Sequence, residues 1–396
     1  MAISKKTIED IDVSNKKVLV RCDFNVPQDD EGNITDDRRI VETLKTIKYL
    51  INNNAMVILC SHLGRPKGEF NMKYSLKPVA KRLSELLDME VKIADDVIGD
   101  SAKKLVETIQ PKEVILLENV RFHKEEEAND PEFAKTLASF ADIYVNDAFG
   151  TAHRAHASTA GVASYLPAVA GYLIEKEIEI IGGALDNPQK PFVAILGGKK
   201  VSDKIGVIEN LIDKADRIII GGGMAYTFLK AEGYEIGKSI CEDDKLDVAL
   251  SIIEKAKQKN VELVFPVDII CASEISQEAE CKCVDIENIP SDFAGVDIGE
   301  RTIELFSEKL KDAKTIMWNG PMGVFEIEKF AKGTNEIAKM LSNLDSITII
   351  GGGDSALAVE QGGYADKMTH ISTGGGASLE YIEGKVLPGI DALNNK

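Results

Sequence analysis

The chain has 396 residues, 44% apolar and 28% charged, which excludes a mostly disordered protein and predicts two or three domains. Asp and Glu number 65 against 47 Lys and Arg, and the net charge of −18 argues against binding to nucleic acid or to an acidic membrane surface. Six cysteines without CxxC spacing, and no signal-peptide core in residues 1–12, predict reduced thiols in the cytoplasm. An anionic small molecule can still bind where basic side chains gather.

Short apolar runs rich in Val and Ile alternate with amphipathic stretches. Such nearly continuous runs are typical of parallel strands that are buried on both faces. In chain order, strands are predicted at residues 18–20, 56–59, 114–117, 143–145, 192–196, 218–220, 263–265, 315–318 and 347–350. Helices are predicted between them, for example at 102–109, 204–214 and 244–257. Nine strands are too many for one ordinary sheet, so we expect an α/β protein with two parallel sheets built from right-handed βαβ units.

The boundary between two domains is predicted near Pro167. Residues 171–181 have the spacing of one amphipathic helix, and the glycine pair that follows is typical of a helix C-terminus. A helix between two domains can serve as a hinge. We therefore expect an N-terminal domain over residues 1–170, an interdomain helix over 171–184 and a C-terminal domain over 185–386.

Basic and polar residues follow the four apolar runs of the first half. Ligands of open parallel sheets bind beyond the carboxyl ends of the strands. The four tails are residues 21–25, 61–66, 118–123 and 146–156, and they hold four of the chain's five histidines. Arginine suits phosphate or carboxylate because its planar guanidinium donates two parallel hydrogen bonds. A local ion pair would explain one such arginine, but four basic tails at one sheet edge predict an anionic ligand.

Glycine-rich runs follow the strands of the second half. They stand at residues 197–198, 221–223, 351–353 and 374–376. Glycine lets backbone N–H groups approach a phosphate, and a helix N-terminus behind it favours negative charge. A tight turn would explain one run, whereas four predict a nucleotide site. Asp354 either ligates Mg²⁺ on a nucleotide phosphate or caps the helix that follows it, and the two roles can coexist.

Two lysines and one glutamate add to this pattern. Lys200 and Lys204 are four residues apart at a predicted helix start, so they would share one face, where an anion would offset the unfavourable helix dipole. Glu326 is either a ligand of a ribose hydroxyl or a surface acid. Residues 351–356 match the dinucleotide fingerprint in its GxGxxA form, which keeps an NAD-dependent dehydrogenase as an alternative. That alternative leaves the arginine-bearing tails unexplained. A noncatalytic nucleotide-sensing protein is the second alternative.

Together these segments resemble the phosphoglycerate kinase family. The motifs that carry the resemblance are RCDFNVP, SHLGRP, LLENVRFH, VNDAFGTAHRAH, GGKKVSDK, IIGGGMAYTF, WNGPMGVFE and GGGDSA, in this order from about Val18 onward. The resemblance implies two Rossmann-like domains joined by a hinge helix. The first would bind 3-phosphoglycerate or 1,3-bisphosphoglycerate and the second Mg-ADP or Mg-ATP. It also implies a monomer in which residues 387–396 fold back onto the first domain.

The resemblance also implies individual site residues. On the phosphoglycerate side these are Asp23, Phe24, Asn25, Arg39, His62, Leu63, Gly64, Arg65, Arg121 and Arg154. On the nucleotide side they are Lys200, Lys204, Gly221, Gly222, Gly295, Asn319, Glu326, Gly353, Asp354, Ser355 and Ala356, with Asp354 on Mg²⁺. Arg39 precedes an isoleucine, as the catalytic arginine of the family does, and Arg38 adjoins it. Lys199 stands where the family usually has a small residue.

Overall fold

The computed structural model describes residues 4–396, which form two compact units. The N-terminal unit holds the described residues up to Glu179 together with Val386–Lys396, and the C-terminal unit holds Ile180–Lys385. Each unit contains a six-stranded parallel sheet and the helices that connect its strands. The predicted α/β fold with two parallel sheets is therefore confirmed.

The N-terminal unit contains the sheet β3-β4-β2-β1-β5-β6. Its strands are β1 (Lys17–Cys22), β2 (Met56–Cys60), β3 (Val91–Ile93), β4 (Val114–Leu116), β5 (Ile143–Asp147) and β6 (Ala168–Ala170). Its first helices are α1 (Arg38–Asn52), α2 (Lys77–Leu87), α3 (Asp100–Thr108), α4 (Lys124–Glu127), α5 (Pro131–Ala138) and α6 (Tyr172–Glu177). Arg21 of β1 is level with Cys60 of β2 and Asn146 of β5, so the segments after these strands begin at one edge.

The core of this unit explains its apolar strands. Val18 and Val20 of β1 belong to the same buried cluster as Ile47 of α1 and Leu83 of α2. Leu19, between them, is also fully buried, because helices cover both faces of the sheet. Burial of each such side chain stabilises the fold by roughly 1.5–3 kcal/mol.

The C-terminal unit contains the parallel sheet β15-β14-β13-β7-β8-β9 and an antiparallel sheet β11-β10-β12. The strands are β7 (Phe192–Leu196), β8 (Arg217–Ile220), β9 (Glu262–Val264), β10 (Asp268–Ala272), β11 (Cys281–Asp285), β12 (Ala294–Ile298), β13 (Thr315–Asn319), β14 (Ile347–Gly351) and β15 (His370–Ile371). The helices are α7 (Gly183–Asp186), α8 (Ile205–Ile212), α9 (Met224–Ala231), α10 (Leu246–Gln258), α11 (Glu300–Leu310), α12 (Lys332–Leu341), α13 (Gly353–Gln361) and α14 (Gly376–Ile382). Leu196, Asn319 and Gly351 are level, so the glycine-rich segments also start at one edge.

The sequence predicted that the helix between the units ends at its glycine pair. The structure differs, because the helical segment continues from Tyr172 to Asp186. Between α6 and α7 the chain forms a π-helical turn, Ile178–Gly182, and the division between the units falls inside it, after Glu179. Gly182 has φ −63°, an ordinary right-handed helical value. A glycine ends a helix when it adopts the left-handed conformation, and Gly182 does not.

The C-terminal segment belongs to the N-terminal unit. It contains α15 (Pro388–Asp391). The N–H of Gly389 donates to the carbonyl of Ala152 at 2.8 Å, and its carbonyl accepts from Nδ2 of Asn146 at 2.9 Å. Within residues 4–396, no helix is both long enough and apolar enough to cross a membrane.

Candidate functional site

Arg38 and Arg39 have different partners at the start of α1. Nη1 of Arg39 donates to Oδ2 of Asp23 at 2.8 Å, and Asp23 lies directly after β1 with only 7% of its side chain exposed. Arg38 instead hydrogen-bonds to Asp36 through Nη2 at 2.7 Å, and half of its side chain is exposed. The structure therefore brings Arg39 to the strand ends, whereas this contact of Arg38 lies in the loop before the helix.

The loop after β1 is tied to the loop after β2. The N–H of Gly64 donates to Oδ1 of Asn25 at 2.8 Å. Gly64 has φ +61°, and a Cβ there would collide with the ring of Tyr74, so this tight turn requires glycine. The side chains of Phe24 and Leu63 are buried in the core. These two predicted site residues can therefore offer a ligand only their main-chain atoms.

Arg121 is a buried cation with unused donor capacity. It lies in a 3₁₀ turn, Val120–Phe122, after β4, and its Nη1 donates to the carbonyl of Gly64 at 2.9 Å. Its Nε lies 3.4 Å from Oε1 of Glu127, but its Nη2 is buried and has no hydrogen-bond partner within residues 4–396. Burial lowers the pKa of Arg121 to about 10. A buried donor without a partner costs about 1–3 kcal/mol, so this group points to an anionic ligand.

Arginines from the other three tails, together with Arg39 of α1, lie near His62 of the second tail. The pKa of His62 is held well below its ordinary value, first by burial and then by nearby positive charges. Those charges are Arg21, Arg121, Arg39 and Arg154. Nε of Arg154 lies 3.2 Å from Nε2 of His153. Arg65 is exposed and has no hydrogen-bond or ion-pair partner in the described part of the chain. The tails thus converge, as their positions on the sheet predicted.

A cavity of about 420 Å³ lies among the glycine-rich loops of the C-terminal unit. Of the predicted nucleotide residues, Gly222, Gly295, Glu326 and Asp354 line it. The remaining seven do not: Lys200, Lys204, Gly221, Asn319, Gly353, Ser355 and Ala356. Lys199 and Lys238 line it as well. Two lysines and two carboxylates at one cavity provide charged groups for both phosphates and a cation.

Glycine is required where these loops meet. Gly222 has φ +65°, and a Cβ there would lie 2.7 Å from the backbone of Gly198 and of Pro321. A Cβ on Gly295 would collide with the hydroxyl of Tyr226. The close approach of three backbone segments therefore forms one wall of the cavity, which places backbone N–H and C=O groups near any ligand.

Lys204 is buried beside the cavity loops and hydrogen-bonds through Nζ to Oδ1 of Asn319. Burial lowers its pKa to about 8, although Asp203 and Asp354 favour the charged form. Nδ2 of Asn319 is buried and has no hydrogen-bond partner among residues 4–396. The predicted helix face shared with Lys200 is wrong: α8 begins only at Ile205, so Lys200 lies in the preceding loop.

Asp354 does not cap a helix. It lies in the first turn of α13, behind the N-cap Gly352, and makes no side-chain capping bond. Ser355 accepts from the N–H of Gly320 at 2.7 Å and is fully buried, as Ala356 nearly is. Within residues 4–396, no cluster of three or more His, Cys, Asp or Glu side chains could hold a metal. A single carboxylate still fits Mg²⁺, because that ion keeps several waters and ligates substrate phosphates.

The family model for phosphoglycerate kinase matches residues 8–385. The chain belongs to the phosphoglycerate kinase family. A protein named phosphoglycerate kinase from Finegoldia magna is 58% identical to it, and the match covers 100% of both chains. Another, from Clostridium tetani, is 59% identical, and the match covers 100% of this chain and 99% of the relative. Solved phosphoglycerate kinases from Coxiella burnetii and Pyrococcus horikoshii have TM-scores of 0.89 and 0.81, at 46% and 34% identity, over 98% of each chain.

Membership in the phosphoglycerate kinase family decides against the dehydrogenase alternative. Residues 351–356 do follow a strand and open α13, as a dinucleotide fingerprint requires. The same strand-to-helix geometry serves any ligand that carries a phosphate, so the motif alone does not separate the two classes.

Two residues near the candidate phosphoglycerate kinase sites were absent from the predicted site residues. Nη2 of Arg21 lies 3.1 Å from Nδ1 of His62, and a basic residue at a strand end was the signal for it. Lys238 lines the cavity from a loop between α9 and α10. Lys238 stands in the segment GYEIGKS, residues 233–239, which resembles a P-loop but has three residues between its glycines where four are required, so the sequence offered only a signal that the spacing rule rejects.

Proposed function

We propose that this chain catalyses the reversible transfer of the acyl phosphate of 1,3-bisphosphoglycerate to Mg-ADP, which gives 3-phosphoglycerate and ATP in glycolysis. The observation that carries the proposal is the buried Nη2 of Arg121, which has no hydrogen-bond partner among the described residues and lies within a cluster of arginines. Such a cluster suits a small molecule with phosphate and carboxylate groups. The glycine-walled cavity of the C-terminal unit suits a nucleotide.

In the proposed phosphoglycerate site, the phosphate and carboxylate of the substrate bind Arg65, Arg121 and Arg154. Asp23, Asn25 and His62 hydrogen-bond to the substrate, and residues 24, 63 and 64 contribute main-chain atoms. Arg65 and Arg154 are accessible, whereas Arg121 is held by Gly64 and by the neighbouring Glu127. Pre-positioned guanidinium groups lower the entropic cost of binding a charged substrate.

In the proposed nucleotide site, Gly221, Gly222 and Gly295 allow close approach of the nucleotide, and Glu326 binds the ribose. The phosphates bind Lys200, Asn319 and the N-terminus of α13, which holds Gly353, Ser355 and Ala356. Asp354 would hold Mg²⁺ on the nucleotide phosphates, where the ion would neutralise negative charge. The support for these roles is the position of Glu326 and Asp354 on the cavity wall and the Nδ2 of Asn319, which has no hydrogen-bond partner in the described part of the chain.

The chemistry needs positioning and charge stabilisation. We propose direct, in-line transfer between the two substrates without a phosphorylated enzyme, because no nucleophile is required for such a step. Arg39 and Lys204 neutralise the phosphoryl group as it passes. Removal of one such charge-stabilising group often lowers kcat by a factor on the order of 10²–10³.

We propose that residues 1–170 with 387–396, and residues 185–386, act as two domains, with 171–184 as the hinge. Closure would bring the substrates together and exclude water. The π-helical turn Ile178–Gly182 supports a hinge, since such turns frequently occur at functional positions. We also propose a monomer in the cytoplasm that binds neither nucleic acid nor membranes, which its six free cysteines and net charge of −18 support.

The test is ADP release from Mg-ATP, measured with and without 3-phosphoglycerate. We expect release that depends on 3-phosphoglycerate and that stops when EDTA removes the metal. Binding of Mg-ATP without any release would favour the nucleotide-sensing protein instead. Lys204→Ala is the negative control, since it removes a transferring-phosphate contact and leaves the cavity wall unchanged.

A further inference from the structure

Three buried polar residues connect β1, α4 and the loop after β5, and the proposed mechanism uses none of them. Arg21, Glu126 and Ser158 are all fully buried. Nε of Arg21 donates to Oγ of Ser158 at 2.8 Å, and this hydroxyl donates to Oε1 of Glu126 at 2.5 Å. The N–H of Ser158 donates to the other carboxylate oxygen at 2.9 Å. The three residues form a continuous chain of hydrogen bonds from a carboxylate to a guanidinium.

The far end of this chain determines which ring nitrogen of His62 carries the proton. Nη2 of Arg21 lies 3.1 Å from Nδ1 of His62. A guanidinium can only donate hydrogen bonds, so Nδ1 must accept and the proton of a neutral ring must be on Nε2. Within residues 4–396, Nε2 has no hydrogen-bond partner, so its N–H is available to a ligand.

The charges around His62 favour the neutral ring. Arg21 faces it from β1, Arg39 from α1, Arg121 from the turn after β4 and Arg154 from the loop after β5. Burial and these four cations hold the pKa of His62 well below its ordinary value. A fifth positive charge here would be costly, whereas a neutral N–H adds a directional donor without adding charge.

We propose that Glu126 and Ser158 are positioning residues that act through Arg21 to hold His62 in its Nε2–H form, so that an uncharged imidazole donates one hydrogen bond to phosphoglycerate. The identity of the ligand rests on the proposed function, whereas the tautomer rests on the contacts above. Glu126 balances the charge of Arg21, and Ser158 orients its guanidinium, which together determine the hydrogen bond to Nδ1.

The experiment is nitrogen NMR of the histidine rings in the full chain without ligand, with the signal of His62 assigned by His62→Gln. We expect a neutral ring protonated on Nε2 from pH 5.5 to 8. In Ser158→Ala we expect a second set of signals from the Nδ1–H form. We also expect KM for 3-phosphoglycerate to rise about tenfold, as a weakened hydrogen bond to a charged group implies, with KM for Mg-ATP unchanged.

Thr302→Val is the matched control. Oγ1 of Thr302 is buried and donates to Oδ1 of Asp268 at 2.6 Å in the C-terminal unit, so this change also removes a hydroxyl–carboxylate bond. It should lower stability and leave both the signals of His62 and KM for 3-phosphoglycerate unchanged. If Ser158→Ala does not fold, Ser158→Cys, a weaker donor of similar size, tests the same bond.

A wild-type ring protonated on Nδ1, or one that titrates near the ordinary pKa of histidine, would overturn the proposal. So would a Ser158→Ala or Ser158→Cys protein that is less stable but keeps the His62 signals of the wild type. The tautomer is measured without substrate, so failure of the kinase assay and failure of this proposal are separate outcomes.

Discussion

At the scale of single residues, Arg38 and Arg39 are adjacent in the chain but contact different acids. Arg39 pairs with Asp23 at the end of β1, and Arg38 pairs with Asp36 in the loop before α1. We expect Arg39→Ala to lower kcat by about 10²–10³ with little change in KM for Mg-ATP, because it removes charge stabilisation from the transfer step. Arg38→Ala is the matched control and should leave kcat nearly unchanged. Steady-state kinetics measure both, and an equal loss in Arg38→Ala would reassign the role.

The lowered pKa of Lys204 leads to a prediction about how activity depends on pH. Its pKa is lowered to about 8 by burial, so the free enzyme loses this positive charge as the pH rises through 8. We expect kcat/KM for Mg-ATP to fall across this range, since the neutral amine no longer attracts phosphate. Lys204→Arg should lose this alkaline limb, because a guanidinium stays charged. Identical profiles for the two proteins would contradict the assignment.

The lowered pKa of Lys204 affects the free energy of unfolding in the direction opposite to its effect on activity. Between pH 8 and the ordinary lysine pKa of 10.5, the unfolded chain binds more protons at Lys204 than the folded chain does. The contribution of this group to the free energy of unfolding therefore rises with pH across that window. Activity and the contribution of Lys204 to stability should consequently change in opposite directions, so the loss of activity above pH 8 is not explained by unfolding caused by this group.

At the scale of elements, the helical segment between the units contains two glycines with different surroundings. A Cβ on Gly183 would meet no atom of residues 4–396 within 4 Å, whereas a Cβ on Gly182 would lie 2.7 Å from the hydroxyl of Tyr381. We expect Gly183→Ala to raise the free energy of unfolding by about 0.5–1 kcal/mol, because alanine loses less backbone entropy in a helix. Urea denaturation measures this change.

Gly182→Ala is the control within the same segment. It should give no such gain, since the hydroxyl of Tyr381 must move to make room. If the proposed hinge bends at this turn, Gly183→Ala should also lower kcat while it stabilises the chain. Equal stabilisation by both substitutions would show that the contact with Tyr381 carries no energetic cost.

At the scale of the whole molecule, the candidate ligand sites lie on different units of the chain. Direct transfer therefore requires the units to bring their ligands together. We expect the radius of gyration, measured by small-angle X-ray scattering, to fall only when 3-phosphoglycerate and a nonhydrolysable Mg-ATP analogue are both present. Compaction with either ligand alone would show that closure does not depend on the pair, and no change with both would refute hinge closure.

Nine of the twelve parallel strands in the described residues were predictable because most of them are buried on both faces and so form continuous apolar runs. All nine predicted runs are strands, and β7 has the predicted bounds. The three missed strands carry weak apolar signals: β3 contains the exposed Lys92, β6 is largely alanine, and β15 has two residues, one of them a histidine. The antiparallel sheet was missed because β11 is largely exposed and its sequence, CKCVD, has no apolar run.

The sequence by itself determined which residues follow each strand, and therefore which chemistry gathers at each sheet edge. Only the tertiary structure decided which of those side chains face a ligand. The side chains of Phe24 and Leu63 are buried in the core, and Arg39 forms an ion pair with Asp23. Lys200 lies in the loop before α8. The physical reason is the distance in sequence over which each signal operates. The periodicity of apolar residues reflects neighbours a few positions apart, whereas the partner of a side chain depends on residues far along the chain. Arg21 and Ser158, which meet across 137 positions, have no local pattern in common.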